Sequence, residues 1–306
     1  VKVFLYVLLF RIGIYIVGVV ISMMFSEEIG FTFSDFLSSW NRWDSQHYID
    51  LASKGYADCV ENGQHLFLVF FPLCPWLLKI IHFIIRDWQF AFIMLSTIAY
   101  CVGAVFFYIC ISEEYGKKTA QRALTLVSVW PFAFFFGGMM TESLFFATLS
   151  IGFYFIKKHN WFAVGLTGLF CSLCRVQGIL LLGVAGVEFL QTYSPVIMWK
   201  EKKIALFFKE VFTKGMYLLL IPVGNLIYFY LNYKVEGNPG EIMKYHNIHV
   251  VYTREAETAD HYIEKTVRRI AKEHDVIVAT SDALEQVIIM GQGAHRMSAA
   301  GLKEEI

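Results

Sequence analysis

The sequence predicts an α-helical multi-pass membrane protein with a small α/β tail. Of its 306 residues, 57% are hydrophobic and only 17% are charged, against about 25% charged in soluble domains. The apolar residues gather into runs long enough to cross a bilayer. From residue 235 onward that pattern stops, and short apolar runs alternate with charged, helix-periodic ones. The expected division is therefore a membrane domain over 1–234 and a tail over 235–306. Lys and Arg (26) balance Asp and Glu (26), so net charge offers no argument for a nucleic-acid partner.

Residues 3–24 form the first predicted span. They are too long for a cleavable leader and lack a small-residue cleavage site, so they read as a signal anchor. A polar stretch of about 40 residues, 25–65, follows. Residues 66–85 are apolar but contain Pro72, Pro75, Lys79 and His82. Further spans are expected over 88–112, 123–137, 142–156, 161–174, 176–190 and 215–231. That makes about seven in all.

Topology turns on residues 66–85. If they cross, the basic loops at 117–122, 157–158 and 200–214 fall outside, against the positive-inside rule. If they lie in the interface, all three loops become cytoplasmic, together with Lys2 and Arg11. Prolines suit a helix entrance better than its interior, so an interfacial helix is expected. This choice places Asp44, Glu142, Arg175 and Asn238 on one outer face.

Six cysteines are present. Cys171-x-x-Cys174 lies inside an apolar run and reads as small-residue packing rather than redox chemistry. Cys59 and Cys74 flank the polar stretch and could pair.

Three groups could carry chemistry. Asp44 sits between Arg42, Trp43 and His47 in the polar stretch, where a carboxylate could serve as general base at the lipid–water boundary. The same residues also read as an interfacial anchor with a solvated acid. Glu142 begins a span after Thr141, where the helix dipole favours an acid. Arg175 interrupts an apolar run of nearly 30 residues. A cation there costs at least about 2.5–3.5 kcal/mol unless it faces a cavity or turn. An arginine, a carboxylate and apolar walls suit a lipid-phosphate ligand, although an ion pathway would use similar groups.

Several stretches carry a family resemblance. Arg42-Trp43-Asp44-Ser45-Gln46-His47-Tyr48, Gly55-Tyr56 and Phe70-Phe71-Pro72-Leu73-Cys74-Pro75 resemble the first outer loop of the PIG-V-like mannosyltransferases, relatives of GPI mannosyltransferase II. Trp130-Pro131 with Met140-Thr141-Glu142-Ser143-Leu144-Phe145, then Arg175-Val176-Gln177-Gly178, then Gly237-Asn238-Pro239, resemble later motifs of that family, in order. The resemblance implies a GT-C glycosyltransferase in the cytoplasmic membrane of a bacterium. It would move a hexose, mannose by family expectation, from a polyprenyl-phosphate carrier to a lipid- or glycan-type acceptor hydroxyl, with inversion. Asp44 would be the base and Glu142 would organise the site. Trp43, Arg42, His47, Arg175 and Asn238 would contact substrate. No cofactor is expected for this domain. The family continues with further spans after the Gly-Asn-Pro loop. The membrane domain is therefore expected to be C-terminally truncated, which would impair its activity.

The tail has its own resemblance. Thr253-Arg254-Glu255-Ala256-Glu257-Thr258-Ala259-Asp260, Ala279-Thr280-Ser281-Asp282 and Gly291-Gln292-Gly293-Ala294-His295-Arg296 resemble the C-terminal half of YacP-like NYN-domain ribonucleases, a PIN-like fold. That resemblance implies that Asp260 and Asp282 help hold a divalent cation, with RNA as partner if the tail is functional. Local readings as helix-turn and N-cap acids also stand. The expected tail comprises strands at 249–252 and 276–280 and helices at 257–273, 284–290 and 298–305. The two resemblances meet near residues 235–241, as in a chimera of two coding fragments. The alternative functions are a membrane-linked fragment of an NYN-type endoribonuclease, or a non-catalytic membrane protein or transporter.

Overall fold

A computed structural model describes residues 1–25, 32–59, 66–236, 242–245, 248–251, 258–280, 282–298 and 301–303. The chain divides into two compact units, Val1–Val235 and Glu236–Ile306.

The first unit is helical throughout. Its helices are α1 (Lys2–Phe25), α2 (Phe33–Trp40), α3 (Ser45–Lys54), α4 (Leu73–Ile85), α5 (Trp88–Tyr115), α6 (Lys117–Val129), α7 (Glu142–Lys157), α8 (Trp161–Cys174), α9 (Leu180–Thr192), α10 (Pro195–Lys200), α11 (Ile204–Thr213) and α12 (Leu220–Glu236). Four apolar helical stretches are long enough to cross a membrane: Lys2–Met24, Trp88–Tyr115, Val176–Lys200 and Gly215–Val235. The 13 residues of α4 rise only about 20 Å, short of a hydrocarbon core of about 30 Å. The 14 residues of α8 are apolar but similarly short.

Helix α5 is the centre of the unit and packs against α1, α4, α6 and α7. The α5–α7 contact is tight at Gly103, where a Cβ would come within 2.8 Å of the Ala147 Cα. The main core gathers Leu37, Ile49, Leu78, Phe92, Met139 and Leu173 from six parts of the chain. Outward, α1 exposes Leu9, Ile16, Val17 and Met24. Its buried side holds Val7 and Arg11, one turn apart.

One expected span is not a continuous helix. Residues 123–137 divide into the end of α6 at Val129, an extended Trp130 (φ −55°, ψ 139°) and a 3-10 turn over Ala133–Phe136. Pro131 is the reason, because its ring drives the preceding residue out of the α region. The result is an irregular strap from Trp130 to Thr141. Backbone carbonyls in such a strap lack helical partners, and side chains supply them. Arg11 Nη1 donates to Ala133 O (3.1 Å), and the Tyr15 hydroxyl donates to Gly137 O (2.8 Å). Ser143 Oγ donates to Phe136 O (2.5 Å), and Ser96 Oγ to Met140 O (3.4 Å). All six cysteines are free thiols, so the structure does not join Cys59 to Cys74.

The second unit contains an antiparallel pair, β1 (Ile242–Tyr245) with β2 (Ile248–Val251). A parallel pair, β3 (Ile277–Ala279) with β4 (His295–Met297), is connected through α14 (Ala283–Gly291). Helix α13 (Ala259–Ile270) starts where Thr258 accepts a hydrogen bond from the His261 amide. Val267, Ile289 and Ala294 form a small core. Strands β1 and β4 were not anticipated from the sequence. His295-Arg296-Met297 carries two charged-type side chains and shows no apolar alternation, so its place as a strand comes from pairing with β3. Of the expected final helix, 301–303 are described and helical, with Ser298 Oγ accepting from the Gly301 amide.

Candidate functional site

The polar stretch folds around a tight backbone turn. Helix α2 ends at Trp40, Arg42 and Trp43 follow, and α3 begins at Ser45. The Ser45 hydroxyl closes the turn by donating to Arg42 O (2.6 Å). Trp43 has φ +51°, a left-handed backbone that is an outlier for a bulky residue. It persists because the indole is held against Phe135 (5.6 Å between ring centres) and Phe134 (6.0 Å) of the strap. Non-glycine residues kept in such conformations cost about 1–3 kcal/mol and cluster at functional sites.

Asp44 occupies the N-cap position of α3, but its carboxylate caps no amide. It is solvent-exposed and pairs with no cation among the described residues. Arg42 is also exposed. Its Nε donates to Ser39 O (3.2 Å), and it joins no ion pair among the described residues. His47 is half-buried, with its ring 5.6 Å from Phe70.

A second cluster lies where α7 begins and α8 ends. Arg175 is extended (φ −155°, ψ 151°) between α8 and a 3-10 turn over Val176–Ile179. Its Nη2 lies 2.5 Å from Glu142 Oε1, and Nε and Nη2 donate to Thr141 Oγ1 at 2.9 and 2.7 Å. Burial works against the Arg175 charge, but the neighbouring Glu142 carboxylate outweighs it and raises the guanidinium pKa. Glu142 Oε2 is buried and accepts no hydrogen bond. Gly178 closes the turn by donating to Arg175 O (2.9 Å). A Cβ there would fall 2.3 Å from the Cys171 carbonyl, so the backbone approach requires glycine.

Residues overlooked in the sequence connect the two clusters. Tyr48, one turn after Asp44, is buried, packs on Phe70 and Phe92, and lies near enough to Thr141 and Arg175 to be influenced by both. Burial pushes that phenol above its usual range. Cys74 feels both Glu142 and Arg175, and burial holds its thiol protonated. Cys174 Sγ approaches Thr141 O (3.8 Å). Tyr56 and Tyr228 hold the intervening turn by donating to Phe70 O (2.6 Å) and Leu68 O (2.7 Å). Tyr48, Cys74 and Thr141 all lie inside the quoted motifs. That position within the motifs is the signal that could have found them.

The structure therefore brings Glu142 and Arg175 into direct contact, and Arg42, Trp43 and Asp44 into a neighbouring exposed turn. Asn238 lies outside the described residues. In the second unit, Asp260 is exposed in the first turn of α13. Asp282 precedes α14, and its amide donates to Thr280 Oγ1 (3.1 Å). Among the described residues, no three His, Cys, Asp or Glu side chains come together as metal ligands.

Comparison with known proteins bears on the second unit. Residues 224–306 match the YacP-like NYN domain family. The match begins within α12, earlier than the sequence boundary at 235. A 62-residue segment is 45% identical to the uncharacterized protein YacP of Bacillus subtilis (strain 168). That segment covers 20% of this chain and 36% of the relative, so the chain spans about a third of the protein it matches. The C-terminal region thus carries part of a YacP-like NYN domain. No solved structure matches the chain.

Proposed function

We propose that the membrane unit is a GT-C glycosyltransferase of the PIG-V-like type, in the cytoplasmic membrane of a bacterium. It moves a hexose, mannose by family expectation, from polyprenyl phosphate to an acceptor hydroxyl. The observation that carries this reading is the convergence of Tyr48, Cys74, Thr141–Glu142 and Arg175 in one cluster. These residues come from four separate motif stretches, and a bundle with no shared site has no reason to bring them together. Asp44 stands one helical turn from Tyr48, exposed and joined to no cation among the described residues, so it is open to an acceptor hydroxyl.

In the reaction, Asp44 takes the proton of the acceptor hydroxyl. The acceptor oxygen forms its bond to the anomeric carbon as the glycosyl–phosphate C–O bond breaks. Polyprenyl phosphate leaves, and the configuration inverts. Membranes containing the full chain are expected to transfer labelled sugar from a polyprenyl-phosphate sugar. If Asp44→Asn left that transfer unchanged, the base assignment would be wrong.

A second reading rests on the match over 224–306: a membrane-linked fragment of an NYN-type endoribonuclease, with RNA as substrate and a divalent cation as cofactor. RNA cleavage by the full chain, lost in Asp260→Asn, would favour it over sugar transfer.

A further inference from the structure

The arginine expected to take the ligand phosphate from sequence, Arg175, already binds Glu142 and Thr141 through Nε and Nη2. A phosphate arriving there would meet the Glu142 carboxylate as well. Arg42 has no such competitor. It is exposed, joins no ion pair among the described residues, and its Nε bonds only the Ser39 carbonyl.

Arg42 also lines a cleft of about 250 Å³. The walls are Trp40 and Trp43 from the turn, Phe134 and Phe135 from the strap, and Gly18 and Ser22 from α1. Trp40 stands edge-on to Tyr15 at 5.0 Å, and Trp43, itself 68% exposed, lies against the two phenylalanines. The α1 wall belongs to the helix that exposes Leu9, Ile16, Val17 and Met24. A ligand seated in the cleft can therefore leave an apolar chain in the bilayer. One cation beside an aromatic cradle suits an amphiphile with an anionic head and an apolar chain, which the glycosyltransferase reading makes isoprenoid.

We propose that this cleft, and not the Arg175 cluster, is the binding site for the prenyl phosphate. Arg42 takes the phosphate, and Trp43 with Phe134 and Phe135 takes the first apolar units or the sugar face. Arg175 is then a positioning residue that ties α8 to the start of α7. The proposal rests on the glycosyltransferase reading for the nature of its ligand.

The test uses the full chain in nanodiscs, with radiolabelled farnesyl phosphate and farnesol as probes. Wild type is expected to retain farnesyl phosphate at least about tenfold better than farnesol, a preference carried by one charge-assisted contact. Arg42→Gln should abolish that preference. Arg175→Gln and the remote Lys209→Gln should keep it. Equimolar inorganic phosphate should not compete, because the chain supplies part of the affinity. Three results would each overturn the proposal: Arg42→Gln keeping the preference, Arg175→Gln losing it while remaining folded, or inorganic phosphate displacing the probe. So would failure of wild type to bind either probe. The two readings fail separately. Phosphate-dependent binding through Arg42 without sugar transfer removes the glycosyltransferase reading and leaves the site. Sugar transfer that survives in Arg42→Gln leaves the enzyme and removes the site.

Discussion

Arg175 Nη2 contacts Glu142 Oε1 at 2.5 Å while sharing Thr141 Oγ1, so the end of α8 is locked to the beginning of α7. The two side chains remain 35% and 27% exposed, which screens part of their attraction. Arg175→Gln or Glu142→Gln is expected to cost about 1–3 kcal/mol. The double variant should cost less than the sum of the two. Thermal unfolding in detergent, read as a double-mutant cycle, checks this. Additive effects would mean that the pair does not couple.

Gly178 offers a sharper steric test. Gly178→Ala drives a Cβ to within 2.3 Å of the Cys171 carbonyl carbon and oxygen, and should destabilise by more than about 3 kcal/mol. Gly183→Ala, five residues later in α9, meets nothing within 4 Å. It should be neutral or stabilising by up to about 1 kcal/mol. A lowered melting temperature in Gly178→Ala and an unchanged or raised one in Gly183→Ala are the expected results.

The strap, which forms one wall of the cleft, can be loosened by a single substitution. Tyr15→Phe removes the donor to Gly137 O and the bond with Thr97. Leaving a buried carbonyl unpaired costs about 1–3 kcal/mol. Hydrogen exchange of the strap amides should rise in this variant while that of α9 stays unchanged.

Cysteine labelling tests both burial and protonation. Cys110 is half-buried, and the other five thiols are buried. Burial pushes the Cys74 pKa up, so the folded protein holds it as the unreactive thiol even at pH 9. Raising the pH from 7 to 9 should accelerate maleimide labelling at Cys110 and leave Cys74 unlabelled until denaturation. Mass spectrometry of tryptic peptides gives the answer.

Much of the helical plan was legible because membrane burial writes itself in hydropathy. Helices α1 and α5 appear within a few residues of their expected bounds. The strap did not, because residues 123–137 have the composition of a span and only Pro131 betrays the break. Arg175 was conspicuous as a charge in an apolar run, but sequence could not show that Glu142 and Thr141 already occupy its donors. Tyr48 was unremarkable, since its importance comes from burial against a turn nearly a hundred residues away. In the second unit, β4 was invisible because three residues hold their place through one neighbouring strand.

Four strap carbonyls are held by side chains from three helices: Arg11 and Tyr15 of α1, Ser96 of α5 and Ser143 of α7. The cleft wall is therefore not an independent loop. Its shape reports how α1, α5 and α7 sit against one another, so changes in bilayer thickness that tilt α1 will be felt as changes in the width of the cleft. Ligand affinity in this protein should accordingly vary with the acyl-chain length of the surrounding lipid, even where no lipid touches the ligand.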